Sequence, residues 1–283
     1  MHETMHCPAA QAPPDRSGIQ TIATAPESCK IESYFTESAL QSAYRPVAAF
    51  GSSSTEVFDY IFGNSACYHP MWASGWAGRS LRREEPGGFL ATIADPLPRE
   101  TILLLNFGAT DLNFNLPYKV RESGFYDFAG FLDQLAASIG TAHDLYKSLG
   151  FTEVHAVFVS PVVALHRNYW AKRELPFLPP PLLGQMYLDL ADKVAAAGVP
   201  VINPAPRMVA GPKRPVLAPR LARDTPNHHA SYIATQDMIW QSMQHLPGLP
   251  PRRDPAHTGH YAHQPYSITT WKMTGEARPR TTQ

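Results

Sequence analysis

The sequence predicts an α/β sandwich, a parallel sheet covered by helices on both faces. Three observations carry the prediction. Four short segments are apolar almost throughout instead of alternating, as strands buried on both faces are: 47–50 (VAAF), 101–107 (TILLLNF), 154–160 (VHAVFVS) and 199–203 (VPVIN). Stretches with apolar residues at helical spacing separate them. Several of the strands and helices stop at Gly or Pro, as at Gly51, Gly108, Pro161 and Gly198.

The elements follow in order. The first strand, 47–50, runs into Gly51 and a serine-rich turn. Residues 55–62 place Val57, Phe58, Ile61 and Phe62 on one helix face. Residues 69–74 read as a second strand, and 101–107 as the most strongly buried one. Over 125–150 the residues Phe128, Phe131, Leu132, Leu135, Ile139, Leu145, Tyr146 and Leu149 recur at helical spacing, and Gly150 suits the stop. Strand 154–160 ends at Pro161. Helix 182–197 closes at Gly198, strand 199–203 follows, and 231–245 is the last helix. Together they predict one domain over 45–245.

The flanks read differently. Residues 1–44 are poor in aliphatics and rich in Ala, Pro, Ser and Thr, which predicts a largely disordered segment with a helical turn near 34–40. Residues 246–283 are punctuated by Pro247, Pro250, Pro251 and Pro255 and offer no evident core face. That tail holds His257, His260 and His263 at metal-like spacing, but without a helix or strand pattern to preorganise them, so no metal site is expected.

Composition narrows the function. The 283 residues are 44% hydrophobic, enough for a sizeable core. Lys and Arg number 24 and Asp and Glu 24, so the formal charge is zero and a nucleic-acid partner is not expected. No run of about 18 apolar residues occurs, so no membrane span is expected. Cys7, Cys29 and Cys67 cannot build a complete disulfide framework. Free thiols and the lack of a signal-peptide pattern make a cytoplasmic location the expectation.

In an open parallel sheet the ligand site lies beyond the carboxyl ends of the strands. The residues at those ends are therefore the candidates. Ser53 follows the first strand and opens a helix, where backbone N–H groups favour a developing oxyanion. A serine needs a base, usually His, oriented by a carboxylate. The segment Asp224-Thr225-Pro226-Asn227-His228-His229 precedes the last helix and offers both. Each feature also has a plainer reading. Ser52–Ser54 would serve as a helix cap, Gly75 and Gly78 as turn residues, Asp111 as a structural carboxylate, and the two histidines as a surface pair. Trp76 and Trp170 are candidates for stacking on a sugar ring or for the core.

Taken together, Phe50-Gly51-Ser52-Ser53-Ser54-Thr55-Glu56, Ala73 through Leu81 (ASGWAGRSL), Phe107-Gly108-Ala109-Thr110-Asp111-Leu112, and Asp224 with His228 resemble the four blocks of the SGNH/GDSL hydrolase superfamily, in the family's order. The resemblance spans roughly 47–245. It implies a three-layer α/β/α sandwich, flavodoxin-like in its parallel sheet, and hydrolysis of an ester or acylated carbohydrate without a cofactor. By that resemblance Ser53 is the nucleophile, His228 the base and Asp224 its orienting partner. Gly78, Thr110 and Asn113 fall on or near the oxyanion hole, with Thr110 where the family has Asn and Asn113 as the nearest substitute amide. Ser52 stands where the family has Asp. Asp224 and His228 are four apart where the family spacing is three, which makes His229 an alternative base. The partner expected is a small-molecule or glycan ester. Two other functions stay open: O-acyl transfer by the same site, and a catalytically silent domain that binds a ligand or partner.

Overall fold

The computed structural model describes residues 35, 37–63, 65–83, 89–124, 126–254 and 256. Five strands form one sheet: β1 (Val47–Gly51), β2 (Tyr68–Trp72), β3 (Ile102–Asn106), β4 (Glu153–Val157) and β5 (Val201–Ile202), in the order β2-β1-β3-β4-β5. All neighbours pair in parallel. The four segments read as strands from their apolar runs are adjacent in this sheet. Register aligns the ends that matter, because Gly51 pairs with both Trp72 and Asn106. The turns leaving β1, β2 and β3 therefore emerge side by side.

Successive strand side chains point to opposite faces, and the core divides accordingly. Ala48, Phe50, Leu103 and Leu105 join one cluster, with α3 (Phe89–Ala94), α5 (Phe128–Ser148) and α7 (Pro180–Ala196). Val47, Ala49, Ile102 and Leu104 join the other, with α2 (Val57–Phe62) and α9 (Tyr232–Met243). The result is a three-layer α/β/α sandwich. Fully burying an aliphatic or aromatic side chain of this size stabilises by roughly 1.5–3 kcal/mol, so the continuous apolar strands anchor both layers. Asp127 caps α5 by accepting from Gly130 N at 3.0 Å, and Ser231 caps α9 by accepting from Ala234 N at 3.4 Å.

Three regions depart from the sequence expectation. First, the Gly-x-x-Asp segment after β3 does not stop at a turn. It winds as a wide π-helical turn over Asp111–Asn115 and continues as α4 (Leu116–Ser123), with Pro117 in the first turn of α4. Second, the chain between β5 and the last helix, in which the sequence marks no element, folds into α8 (Ala205–Met208) and an antiparallel hairpin, β6 (Val209–Gly211) and β7 (Arg214–Leu217). Third, the core recruits chain from outside 45–245. Phe35 and Ala39, on and just before α1 (Glu37–Leu40), are buried with the α3 side. Leu246 and Leu249 are buried with the α9 side. Arg45 N donates to Gly248 O and Arg253 N to Ile61 O, each at 2.7 Å. Prolines at 247 and 250 removed the periodicity by which such a segment is recognised, although its leucines still reach the core. Residues 1–34 and 257–283, including the His257, His260 and His263 set, lie outside the described residues. Cys67 is buried and free. No described helix is long and apolar enough to cross a membrane.

Candidate active site

The site begins with the exit from β1. Gly51 has φ +149°, and a Cβ there would run into the Asn106 carbonyl oxygen and Thr55 Oγ1. Only glycine lets the chain turn this close to β3. Ser52 N then donates to Asn106 O at 3.3 Å, and a 3₁₀ turn, Ser53–Glu56, leads into α2. Asn106, buried at the end of β3, clamps this turn. In the amide orientation that satisfies all its neighbours, its oxygen accepts from Ser54 Oγ at 3.1 Å, Thr55 Oγ1 at 3.0 Å and Thr55 N at 3.2 Å, and its nitrogen donates to Val157 O at 3.2 Å. Tyr232, on the first turn of α9, donates to Ser53 O at 3.1 Å. The end of β3 and the first turn of α9 thus hold the backbone of the serine turn.

Ser53 Oγ lies 2.7 Å from His229 Nε2. His229, not His228, is the histidine brought to the serine. Its other nitrogen, Nδ1, lies 2.9 Å from Asn227 Oδ1, and the same oxygen accepts from His229 N at 2.9 Å. A backbone N–H can only donate, so the amide atom facing it is the oxygen. Nδ1, facing that same oxygen, must carry the proton. Nε2 is then the bare nitrogen and accepts from the Ser53 hydroxyl.

Asp224 does not take part in this arrangement. It is exposed, and the group on Nδ1 is Asn227. Asp224, four residues before His228, is hydrogen-bonded to neither histidine. Asn227 accepts from the backbone N–H two residues on, in an Asx turn, and this swings the ring of His229 toward Ser53. An Asn two residues before a His was the available signal. His228 turns the other way, with Nδ1 2.8 Å from the Tyr169 hydroxyl. Tyr169 lies on α6 (Arg167–Ala171).

The oxyanion candidates separate as well. Asp111 is fully buried and accepts from Gly78 N at 2.7 Å, Arg79 N at 3.1 Å and Asn115 Nδ2 at 3.3 Å. The Gly78 N–H expected at the oxyanion hole is therefore committed to a carboxylate. Asp111 ties the turn after β2 to the turn after β3, a structural task. Thr110 and Asn113 both line the cleft. Asn113 is 3% exposed and its Oδ1 is buried with no partner among the described residues, which leaves the amide nitrogen as the end available to the cleft. Ser53, as the first residue of its turn, has an N–H without a partner inside that turn.

The cleft itself is small, about 210 Å³ including its open mouth. Ser52–Ser54, the Ala109–Phe114 turn, Ser160 and the two histidines line it. Ser160, read from sequence only as the end of a strand, sits at the far wall with its N–H donated to Tyr187 Oη at 3.0 Å. Neither tryptophan offers a stacking face. Trp76 is 4% exposed against Phe107, and Trp170 is 5% exposed against Phe114.

Both histidines of the cleft are pushed far below the ordinary imidazole value. Burial pushes His229 down to about 3, helped by the neighbouring His228 and Arg223. His228 is pushed down to about 4 by burial and by Arg173 and Arg223. Glu56 is raised to about 7 by burial, with Arg223 opposing. Among the described residues, no three or more His, Cys, Asp or Glu gather as a candidate metal centre.

No protein-family model and no curated sequence matches the chain. Solved structures do resemble it. A GDSL-like lipase from Bacteroides thetaiotaomicron is 19% identical, with a TM-score of 0.49 over 71% of this chain and 88% of that one. A protein described as an acylhydrolase from Bacteroides fragilis is 17% identical, with a TM-score of 0.49 over 82% and 98%. An acetylxylan esterase from Geobacillus stearothermophilus is 9% identical, with a TM-score of 0.39 over 74% and 97%.

Proposed function

We propose that the chain is a divergent SGNH/GDSL-type serine hydrolase acting on an ester, with Ser53 as nucleophile, His229 as base and Asn227 as the group that orients the base. One observation carries the reading: the 2.7 Å contact between Ser53 Oγ and a His229 Nε2 whose tautomer Asn227 sets. The order of the first three sequence blocks, a histidine just before the last helix and the parallel sheet support it.

The chemistry follows from the geometry. Ser53 Oγ attacks the ester carbonyl carbon as its proton passes to His229 Nε2. The carbonyl oxygen becomes an oxyanion, which faces the Ser53 N–H and the Asn113 amide. The tetrahedral species collapses, the C–O bond to the alcohol breaks, and His229 returns its proton to the leaving oxygen. Water then attacks the acyl-serine as His229 takes a proton from it, the bond between the acyl carbon and Ser53 Oγ breaks, and His229 returns that proton to Oγ as the acid leaves. Throughout, Asn227 holds Nδ1–H without taking the proton. An alcohol entering in place of water gives acyl transfer by the same steps.

A catalytically silent site is the second reading. It is favoured by the committed Gly78 N–H and by the absence of a carboxylate on His229. Kinetics separate the two. Hydrolysis of 4-nitrophenyl acetate by the wild type is expected to exceed that of Ser53→Ala and of His229→Gln by about 10³-fold or more. Asp224→Asn is expected to leave the rate unchanged. Equal rates for wild type and Ser53→Ala overturn the hydrolase reading, and dependence on Asp224 overturns the choice of Asn227.

A further inference from the structure

His228 has no part in the steps above, yet it lines the cleft beside the base. The two imidazole centroids are 4.0 Å apart. Its ring packs edge-on against Phe114, at 4.9 Å between centroids. Burial and the guanidiniums of Arg173 and Arg223 keep it neutral, so one nitrogen carries a proton and the other does not.

Tyr169 decides which. A phenol is a good donor and an imidazole nitrogen a good acceptor. The Tyr169 hydroxyl lies 2.8 Å from Nδ1, and with the phenol as donor the His228 proton sits on Nε2. Tyr169 is itself held in place, because Arg173 lies 3.6 Å over its ring and donates to its carbonyl at 2.9 Å. Among the described residues His228 Nε2 has no protein partner, and it is not sealed from solvent. A neutral N–H donor is thus open to the cleft from the wall that adjoins the base.

The base identifies what part of a substrate comes there. His229 gives its proton to the leaving oxygen, so the alcohol half of the ester lies against His229. A ring 4.0 Å from His229 borders that half. We propose that His228 Nε2–H donates a hydrogen bond to an oxygen in the alcohol half of the substrate, beyond the ester oxygen, and so selects oxygen-bearing alcohols over alkyl ones. This inference rests on the esterase reading. A polar group placed for such a contact also disfavours the analogue that leaves it unpaired.

Two esters of matched length test it: 2-methoxyethyl acetate, which carries an ether oxygen, and n-butyl acetate, which does not. Hydrolysis is followed by pH-stat, and each kcat/KM is divided by the rate constant for hydroxide hydrolysis of the same ester. In the wild type the normalised ratio is expected to favour the methoxyethyl ester by about five- to tenfold. His228→Phe should bring it to about one. His228→Gln, which keeps an N–H donor, should retain part of the preference. Tyr169→Phe should lower it by freeing the tautomer. The ratio is the readout, whatever the absolute rates become. Turnover of both esters at a wild-type ratio of one, or a ratio unchanged in His228→Phe, overturns the inference alone. Turnover of neither ester overturns the esterase reading and this inference with it.

Discussion

At the scale of residues, Ser53, His229 and Asn227 make a charge-relay geometry without the charge. The amide oxygen sets the imidazole tautomer as a carboxylate would, but it supplies no negative charge for the imidazolium that forms on proton transfer. Burial disfavours that cation most, and His228 and Arg223 add to it, so His229 is pushed down to about 3. The pH dependence follows. In the proposed mechanism a protonated His229 is inactive, and its pKa lies far below that of a free imidazole. A kcat/KM profile should therefore stay flat from pH 8 to pH 5, without an acid limb at 6.5. A limb near pH 7 would report Glu56, and Glu56→Gln would remove it. Asn227→Asp should raise the rate at pH 7 by about tenfold or more and bring an acid limb up toward 6–7, because the carboxylate stabilises the imidazolium. A slower Asn227→Asp enzyme with a flat profile would contradict this account. The serine was legible in the sequence because a strand, Gly51 and a helix pattern converge on it. The choice of histidine was not, since an Asx turn at Asn227 decides which of two adjacent rings faces inward.

At the scale of elements, the site depends on how closely β1 approaches β3. Gly51 leaves β1 with a backbone conformation that L side chains rarely adopt, against Asn106 O. Gly51→Ala is expected to destabilise by about 2–4 kcal/mol in a denaturant titration and to displace Ser53 enough to abolish activity. A stable, active Gly51→Ala protein would show that the turn tolerates rearrangement. The strands were legible because they are continuous apolar runs, and the long helices α5, α7 and α9 because apolar residues recur in them at helical spacing. The Asp111–Ser123 helical stretch was not, because Pro117 with Asn113 and Asn115 mimics a loop, although Pro in a first turn starts helices as readily as it ends them. The commitment of Gly78 to Asp111 is a long-range contact between two turns, and nothing local in either segment announces it.

At the scale of the whole molecule, the sandwich closes with chain from beyond its last helix. Leu246 and Leu249 complete the cluster under α2 and α9, and the backbone at 248 and 253 bonds to Arg45 and Ile61. The Ser53 backbone is held by Tyr232 of α9, so this packing also steadies the site. Truncation after His245 is expected to cost on the order of 3 kcal/mol or more from the two leucines alone, and to lower the thermal midpoint accordingly. An unchanged midpoint would mean that the segment contributes nothing to the core. Composition pointed away from any such role, because four prolines in a short tail read as disorder. A proline-rich segment can nevertheless dock in extended form through a few leucines and backbone bonds.

The central claim is that Ser53 is a nucleophile activated by His229. Active-site labelling tests it most directly: the full-length protein is treated with a fluorophosphonate, digested, and the modified peptide sequenced by mass spectrometry. The account predicts a single phosphonylated residue, Ser53, with labelling lost in Ser53→Ala and slowed by orders of magnitude in His229→Gln. Wild-type protein that resists the reagent, or that reacts at the same rate after His229→Gln, would contradict it.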